Sequence, residues 1–421
     1  MSQGRIGFVV LLLIALLAAL PLVSPGDAAS EHQLEVFSWW TGPGEDEGLA
    51  AMVDEFKRRN PGVDFVNATV SGGAGSNAKA ILASRLLAND PPDSYQRHAG
   101  LELQDDVRSG KVVDLTDLYE SEGWMEVFPP GLLDNLTIDG KIYSVPVNIH
   151  RANLIWYDPR ALSALGLPGP PQSWSEFLEQ ATTIQSRGKT PLAVGPQWTQ
   201  KHLLETVLLG ELGVDGYLGL WTGRTAWRGP KVTQAIDTFM KVLAVSDVKS
   251  AAADWQPQLD RVMSGSAVYA VMGDWSYAYL ALTKKLGWQS EYAVAASPGS
   301  AGIFDFLSDS FTLSVGARHS RLAREWLIEC GSRLGQDLFN PRKGSIPART
   351  DPDESLYHEY LAWDLQQWRD PNTRIVGSLT HGVVANNAWN SEIDTALGLL
   401  VQDGDIGKFA ATVDDKRLET S

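Results

Sequence analysis

Residues 34–44 read LEVFSWWTGPG, and this stretch decides the fold. The apolar and aromatic side chains from Leu34 to Trp40 predict a β-strand, and the following Thr-Gly-Pro-Gly predicts a tight turn. A helix follows the turn, because Leu49, Val53 and Phe56 recur on one face at helical spacing. This helix ends at Asn60-Pro61-Gly62. The chain therefore begins its folded part with a strand, a turn and an amphipathic helix.

The same order repeats immediately afterwards. Residues 63–70 predict a second strand, and residues 77–87 predict a second helix. Alternation of strands and helices favours an α/β fold with a mostly parallel sheet, in which ligands bind at the carboxyl ends of the strands. Residues 41–45 occupy that position after the first strand.

The later elements are less regular. Residues 139–146 predict a short hairpin that leads into the apolar segment 154–159, and prolines at 168, 170 and 171 form a stiff spacer. A capped helix starts at Ser173, and the pattern stays mostly helical to about residue 290. Residues 311–315 predict a strand, and residues 321–338 predict one long helix.

The N-terminal residues 1–29 have the layout of a secretory signal peptide. Arg5 precedes an apolar run from Ile6 to Leu20, and small residues at 26, 28 and 29 suit cleavage. An uncleaved anchor is the alternative, although about 15 apolar residues are few for a span that needs about 20. No cysteine lies near the cleavage site, so a lipid anchor has no attachment point. The sequence predicts a soluble protein of the periplasm.

Composition narrows the class of partner. The formal net charge is −16, which argues against nucleic acid or an anionic membrane as the partner. Cys330 is the single cysteine, so no intramolecular disulfide can form. About 390 mature residues exceed one ordinary domain, which predicts two lobes. Many of the 15 tryptophans belong in cores, but an indole at an exposed cleft also offers a flat face to a sugar ring.

Signatures of other functions are weak. The glycine-rich segment 72–79 lacks the Gly-Lys-Ser/Thr of a phosphate loop and is better interpreted as a flexible turn before a helix. The seven histidines show no zinc-binding spacing, and no Gly-x-Ser-x-Gly motif is present. We therefore expect no catalytic residue, no metal site and no cofactor. Paired carboxylates keep a glycosidase as the rival hypothesis, because sequence cannot place such a pair.

Five short segments share one chemistry: each combines an aromatic, a carboxylate, an amide or a cation at the predicted end of an element. Sugar recognition needs this inventory, because each hydroxyl both donates and accepts while the C–H face of the ring is apolar. The segments are Trp39-Trp40 with Glu45, residues 93–98, residues 273–275, residues 309–311 and residues 343–349.

At these residues the sequence resembles the extracellular solute-binding proteins of ABC sugar importers, and most closely their glucose- and galactose-binding branch. The resemblance extends from about residue 33 to the C-terminal region. It implies a sugar-binding set made of Trp40, Glu45, Gln96, His98, Trp255, Trp275, Asp309, Lys343 and His381. Trp39 fits either the core or the cleft. In this set the tryptophans clamp the ring, the carboxylates and the amide accept from hydroxyls, and Lys343 and the histidines donate.

Two departures from the family pattern bear on specificity. Tyr95 stands where a tryptophan or phenylalanine is expected, and Ser276-Tyr277 replaces small residues after Trp275. Both changes predict an effect on which epimer or ring substituent fits, so galactose, mannose or a disaccharide stays open beside glucose. We also expect Lys343 to lie near a carboxylate such as Asp309.

The implied fold is a two-lobed periplasmic-binding-protein fold of α/β class, with hinge crossings and a ligand cleft between the lobes. Lobe one holds residues 31–147 and 300–347, and the mostly helical lobe two holds residues 148–299 and 348–421. The implied function is to capture a monosaccharide, glucose or galactose, as a monomer and to deliver it to the permease subunits of an ABC transporter. A periplasmic glycosidase and a sugar-sensing subunit for a receptor are the alternatives.

Overall fold

The computed structural model describes residues 32–72, 75–248 and 254–420. The predicted signal peptide lies outside these residues, as do positions 73 and 74 of the glycine-rich segment. The strands are β1 (Gln33–Ser38), β2 (Asp64–Thr69), β3 (Ser94–His98), β4 (Thr137–Ile138), β5 (Lys141–Ile142), β6 (Ser144–Pro146), β7 (Asn148–Arg151), β8 (Leu154–Tyr157), β9 (Thr190–Ala193), β10 (Ala267–Val271), β11 (Ala293–Ala296), β12 (Ile303–Leu307), β13 (Asp309–Leu313), β14 (Ile346–Pro347) and β15 (Arg374–Gly377).

Helices connect most of these strands. They are α1 (Glu45–Arg59), α2 (Ser76–Leu87), α3 (Leu101–Arg108), α4 (Thr116–Glu122), α5 (Pro130–Leu136), α6 (Pro159–Leu165), α7 (Trp174–Ser186), α8 (Gln197–Thr222), α9 (Pro230–Ala244), α10 (Gln256–Met263), α11 (Ser320–Gly331), α12 (Arg333–Lys343), α13 (Tyr360–Arg369), α14 (Asn387–Asp403) and α15 (Ile406–Thr420). A π-helical turn covers Ala278–Thr283.

Two sheets form the centres of the two halves of the molecule. The first has the order β2-β1-β3-β13-β6, and its strands run in one direction except for β13. The second has the order β11-β8-β10-β9, in which β8 is the reversed strand. Each sheet is therefore mixed, with one reversed strand among parallel ones, and the predicted α/β class is confirmed.

A third sheet, with the order β14-β7-β12-β15, connects the first two. The chain passes from β6 in the first sheet through β7 into β8 in the second, and it returns from β11 through β12 into β13. Because β7 and β12 pair with each other, both passages cross within one small sheet. We call this third sheet the junction sheet.

Two clusters of buried apolar side chains accompany the two large sheets. One includes Leu34 and Val36 of β1 and Phe311 of β13. The other includes Ile155 of β8 and Val268 of β10, and the helices α7, α8, α9, α14 and α15 contribute to it. The first cluster also includes Trp156 of β8 and Ala270 of β10, so it extends from the first sheet onto the second.

The turn before α1 requires its glycine. Gly44 precedes the helix with φ of 81°, a left-handed conformation that glycine adopts without strain. A Cβ atom at this position would lie 2.5 Å from the carbonyl oxygen of Arg342. The turn can therefore pack against the end of α12 only because residue 44 has no side chain.

Two details differ from the sequence prediction. The buried face of α1 uses Met52, where Val53 was predicted and is only half-buried. The single helix predicted over residues 321–338 is two helices, because Ser332 adopts extended backbone angles and its Oγ accepts the N–H of Gly335 to cap α12. Within the described ranges, no helix is both long and apolar enough to cross a bilayer.

Glu329 on α11 gives a prediction about stability. Burial raises its pKa from 4.5 to about 7, although Arg59 lies 3.4 Å away and opposes the shift. The folded protein therefore binds more protons than the unfolded chain between pH 4.5 and about pH 7, so stability falls as the pH rises through this window. We expect Glu329→Gln to raise the free energy of unfolding by about 1–3 kcal/mol near pH 8, and to have little effect near pH 4.

Urea denaturation of the two proteins at both pH values measures this difference. The exposed neighbour Glu325→Gln serves as the control and should leave stability within about 0.5 kcal/mol at either pH. Equal stability of Glu329→Gln and the unsubstituted protein near pH 8 would show that the carboxyl carries no such penalty.

Candidate functional site

A cavity lies where the carboxyl ends of β1, β2 and β3 face the second half of the molecule. The centre of a water molecule can move through about 80 Å³ of it. Segments from both halves and from the junction sheet line the cavity: Trp39, Trp40, Thr41, Gly42, Glu45, Gly72, Gly75, His98, His150, Trp198, Asp254, Trp255, Gln256, Trp275, Leu307, Asp309, Lys343 and His381. The cavity thus occupies the ligand position that an α/β sheet predicts.

Five tryptophans contribute apolar faces to this cavity. Trp39 and Trp40 follow β1, Trp275 follows β10, and Trp198 and Trp255 lie at the starts of α8 and α10. Trp40 is fixed by Phe339, whose ring centroid lies 4.3 Å away. These rings surround a polar centre, so the cavity offers both flat apolar faces and hydrogen-bonding groups.

Gly75 allows Trp39 to lie where it does. A Cβ atom on Gly75 would lie 2.8 Å from the indole ring, and the residue has φ of 88°. Gly75 therefore provides close backbone approach for an aromatic wall of the cavity. It also directly precedes α2, where the sequence predicted a turn before a helix.

Asp309 is a buried acceptor that lines the cavity. Its side chain accepts hydrogen bonds from Gln96 at 2.8 Å and Asn148 at 2.9 Å, and His98 and His150 lie 3.5 and 3.3 Å away. Burial alone would raise its pKa, but the hydrogen bond and charge of His150, with the charges of His98 and Lys343, hold that pKa well below its ordinary value. Asp309 is therefore an ionised acceptor.

His98 is oriented by a neighbouring ion pair. Its Nδ1 lies 2.9 Å from Glu102, which also accepts from Lys79 at 2.7 Å. Burial alone would raise the pKa of Glu102, but the charges of Lys79 and His98 hold it well below its ordinary value. Glu102 is thus a carboxylate that fixes the ring of His98, leaving Nε2 directed at Asp309.

His381 is held differently. Its Nδ1 lies 2.8 Å from Ser378 Oγ, and its ring packs near Trp275 and His98 at 5.3 and 5.5 Å. Burial lowers its pKa well below the ordinary value, and the charges of His98, His202, Lys79 and His150 act in the same direction. His381 is therefore a neutral imidazole that borders the cavity.

Glu45 and Lys343 form an ion pair at the first turn of α1. Lys343 Nζ donates to Glu45 Oε1 at 3.0 Å, while Oε2 accepts the backbone N–H groups of Thr41 and Gly42 at 3.1 and 2.9 Å. Lys343 is expected near a carboxylate such as Asp309, and the carboxylate with which it pairs is Glu45. The end of α12 packs beside the start of α1, so the ammonium meets Glu45, and Asp309 already has other donors.

The structure brings the sequence-predicted residues together with one exception. Nine of the ten line the cavity, namely Trp39, Trp40, Glu45, His98, Trp255, Trp275, Asp309, Lys343 and His381. Gln96 does not line it. Its side chain is fully buried behind the wall, where it accepts the N–H of Trp39 and donates to Asp309. Gln96 lies two residues before His98, on the same side of β3 but further from the carboxyl end of the strand, where the cavity lies.

Sequence reasoning did not select His150 and Trp198, which also line the cavity. His150 was one histidine among seven without metal spacing, and its place depends on β7 lying between the two large sheets. Trp198 opens α8, and its only sequence signal was membership in an aromatic-rich chain.

The two departures from the family pattern, at Tyr95 and at Ser276-Tyr277, lie outside the cavity lining. Tyr95 points into the core, where its hydroxyl donates to Asp106 at 3.2 Å, and it does not line the cavity. Ser276 and Tyr277 are buried beside Trp275, and Tyr277 packs near Tyr360. These side chains do not touch the space that a ligand would fill, so their predicted direct effect on specificity is not supported by the geometry.

The fold and the cavity define a class of protein: two α/β halves, joined by strands of a small junction sheet, enclose a polar site lined with tryptophan, which is the architecture of a two-lobed solute-binding protein. Residues 41–329 match the sequence model of the bacterial extracellular solute-binding proteins, and the chain belongs to that family.

Similar proteins agree with this assignment. A probable sugar-binding periplasmic protein of Rhizobium meliloti is 30% identical, covering 87% of this chain and 88% of its own. The xylose/arabinose-binding protein XacG of Haloferax volcanii is 26% identical, covering 87% and 80%. Among solved structures, a chitin oligosaccharide binding protein superposes with a TM-score of 0.79 at 16% identity, covering 92% of this chain and 98% of that one. The superposition supports the two-lobed fold.

Proposed function

We propose that this protein captures a monosaccharide between its two lobes and delivers it to the permease subunits of an ABC transporter. The observation that carries the proposal is Asp309, an ionised and buried acceptor that faces a cavity walled by tryptophan rings. A sugar hydroxyl can donate to this carboxylate while the apolar face of the ring lies on an indole. Lys343, His98 and His381 supply further polar contacts around the same space.

The size of the cavity favours one sugar ring. The centre of a water molecule can move through only about 80 Å³ between the indole faces, and one sugar ring suits so confined a space better than a chain of rings does. Glucose is the first candidate, on the resemblance given by the site residues, and the name of the archaeal relative adds xylose and arabinose as candidates.

We further propose the lobe boundaries given by the sequence: residues 31–147 with 300–347, and residues 148–299 with 348–421. The passages of the chain through β7, β12 and β14 of the junction sheet support these limits. Closure of one lobe on the other follows from the position of the cavity, because Asp309 belongs to the first sheet and Trp275 follows a strand of the second. A ligand that contacts both residues favours the closed state.

The periplasm is the proposed compartment, and residues 1–29 are the proposed signal peptide. The relative from Rhizobium meliloti is named a periplasmic protein, which supports the location. We propose that the protein acts as a monomer without a cofactor or metal and binds no nucleic acid. A sugar-sensing subunit that contacts a receptor instead of a permease would use the same cavity, and a neighbouring operon for permeases and an ATPase distinguishes the two roles.

A glycosidase fits the site less well. Hydrolysis needs one carboxyl with a raised pKa to protonate the leaving group. Asp309 is held ionised by its neighbours and suits only the role of the second carboxylate, while Glu45 is paired with Lys343 and accepts two backbone N–H groups. Incubation with chromogenic glycosides should therefore give no turnover, and release of the chromophore by purified protein would support the enzyme.

Thermal unfolding against a panel of sugars tests the proposed function. Glucose, galactose, mannose, xylose, arabinose and maltose are each added at millimolar concentration, with myo-inositol as a control of similar polarity. A dissociation constant of about 1 µM means that a sugar at millimolar concentration raises the melting temperature by mass action. At least one monosaccharide should therefore give a clear shift. A panel without any shift would overturn the sugar assignment, and a shift by maltose alone would overturn the monosaccharide assignment.

Lys343 gives a prediction about affinity. We expect Lys343→Met to weaken sugar binding roughly tenfold, because a charged hydrogen bond to a ligand contributes about 1.5–3 kcal/mol. Methionine keeps the apolar stem that packs in this buried position. Titration calorimetry measures the change, and Lys141→Met, on an exposed lysine far from the cavity lining, is the matched control. Unchanged affinity in folded Lys343→Met would remove Lys343 from the binding set.

A further inference from the structure

His150 occupies a special place among the residues around the cavity. It lies on β7 of the junction sheet, and neighbouring residues of a strand face opposite sides. Asn148 and His150 therefore share the side that faces Asp309, and hydrogen bonds confirm this placement. His150 is only 1% exposed, so its contacts are made with protein groups and with whatever fills the cavity.

Two buried carboxylates flank the imidazole. Nδ1 makes a short hydrogen bond with Asp274, and Nε2 lies 3.3 Å from Asp309 Oδ2. Asp274 comes from the loop after β10 of the second sheet, whereas Asp309 begins β13 of the first. The second oxygen of Asp274 accepts the N–H of Arg151 at 3.1 Å, which fixes that carboxylate. The imidazole therefore links groups from both halves of the molecule.

Asn148 gives the neutral imidazole a hydrogen-bond donor at Nε2. Its Oδ1 accepts the N–H of Asp309 at 2.8 Å, so its orientation is fixed, and its Nδ2 donates to Asp309 at 2.9 Å and lies 3.0 Å from His150 Nε2. When His150 is protonated, Nε2 gives up the bond from Asn148 and becomes a donor that faces the Asp309 carboxylate 3.3 Å away. A neutral His150, with its proton on Nδ1, accepts the second N–H of Asn148 instead.

The groups that face His150 have opposite effects on its pKa. Burial and the charge of Lys343 lower its pKa, while the charge and hydrogen bond of Asp274 and the hydrogen bond of Asp309 raise it, and the net pKa is raised. Trp275 packs on the ring at 5.6 Å, and His381, which feels the charge of His150, is neutral. The two carboxylates thus favour the imidazolium form.

We propose that His150 is a positioning residue for the sugar: through the chain Asp274–His150–Asp309 it holds the sugar-accepting carboxylate, and sugar binding is linked to uptake of a proton by His150. This inference rests on the proposed function. A bound sugar displaces water from the cavity, which strengthens the interaction between the imidazolium and the two carboxylates. The bound protein therefore holds the proton more tightly than the free protein does.

The direction of the pH dependence follows from this linkage. Affinity is highest where His150 is protonated in both states, falls as the pH rises from the free to the bound pKa, and is constant above both values. A tenfold loss corresponds to a bound pKa about one unit above the free pKa. The same linkage requires net proton uptake when sugar binds within this window.

Titration calorimetry tests the inference from about pH 6 to about pH 9, in pairs of buffers with different ionisation enthalpies. The probe is the monosaccharide that stabilises the protein most in the thermal panel. The expected result is proton uptake on binding and a roughly tenfold loss of affinity across the range. His150→Gln, which keeps a neutral donor near the position of Nε2, should bind more weakly and lose the pH dependence.

His202→Gln is the matched control. His202 is buried and packs 6.0 Å from Trp275, but it bonds to the carbonyl of Ala152 and does not line the cavity. This variant should keep the pH profile. Asp274→Asn should move the midpoint to lower pH, whereas a merely structural role would leave the midpoint in place.

Binding without proton exchange at any pH would overturn this inference and leave the proposed function intact. An unchanged pH profile in His150→Gln would do the same. Absence of binding at every pH would overturn both.

Discussion

Asp309→Asn is expected to weaken sugar binding by roughly a hundredfold while the protein stays folded. The carboxylate accepts one hydrogen bond on each oxygen, from Gln96 and from Asn148, so it keeps acceptor capacity for a hydroxyl in the cavity. An amide has the same shape but no charge, and its N–H₂ group meets donors on every side. The loss of charged hydrogen bonds, each contributing about 1.5–3 kcal/mol, accounts for the expected factor.

Calorimetric titration of the variant measures this loss, and circular dichroism verifies that it is folded. Asp106→Asn is the matched control, because Asp106 is also buried and bonded to Arg97 and Tyr95, but it does not line the cavity. The control should lose stability and keep its affinity. If folded Asp309→Asn binds sugar as tightly as the unsubstituted protein, Asp309 is not the acceptor that the site depends on.

Trp275→Ala is also expected to cause a large loss of sugar affinity. The indole lines the cavity and is only 8% exposed, with Lys343 6.0 Å and His150 5.6 Å from its ring. Removing the ring takes away an apolar face, at a cost of about 1.5–3 kcal/mol for the lost burial, which is roughly tenfold to a hundredfold in affinity. Trp275→Phe keeps part of this face and should retain an intermediate affinity.

Trp221→Ala separates this effect from general loss of packing. Trp221 packs against Trp227 and Trp389 in the second hydrophobic core and does not line the cavity. We expect Trp221→Ala to lower the melting temperature with little change in the dissociation constant. Equal affinities of Trp275→Ala and Trp221→Ala for the sugar would show that Trp275 does not contact it.

The first lobe shows how much the sequence can predict. The strand over residues 34–40, the glycine turn and helix α1 follow from local patterns, and they place Trp39, Trp40 and Glu45 at one strand end. The resemblance adds the distant members of the site, and the cavity contains all of them except Gln96. Local sequence patterns are sufficient to place site residues when one strand, one turn and one helix carry all of them.

Contacts between distant segments could not be predicted from the sequence. Whether Lys343 meets Glu45 or Asp309 depends on how α12 packs against α1, which no local pattern encodes. The role of His150 depends on β7, a strand of four residues that lies between the two large sheets. Its partners Asp274 and Asp309 are distant from it in the chain. Such a residue has no motif of its own and becomes visible only in the folded structure.

Small-angle scattering with and without sugar measures whether the two lobes close on one sugar. The sugar is the one that raises the melting temperature most, added at a saturating concentration. We expect a smaller radius of gyration in the presence of sugar, because a ligand contacts both Asp309 and Trp275 only when the lobes meet. An unchanged radius of gyration at saturation would contradict closure and would leave a rigid pocket as the better description.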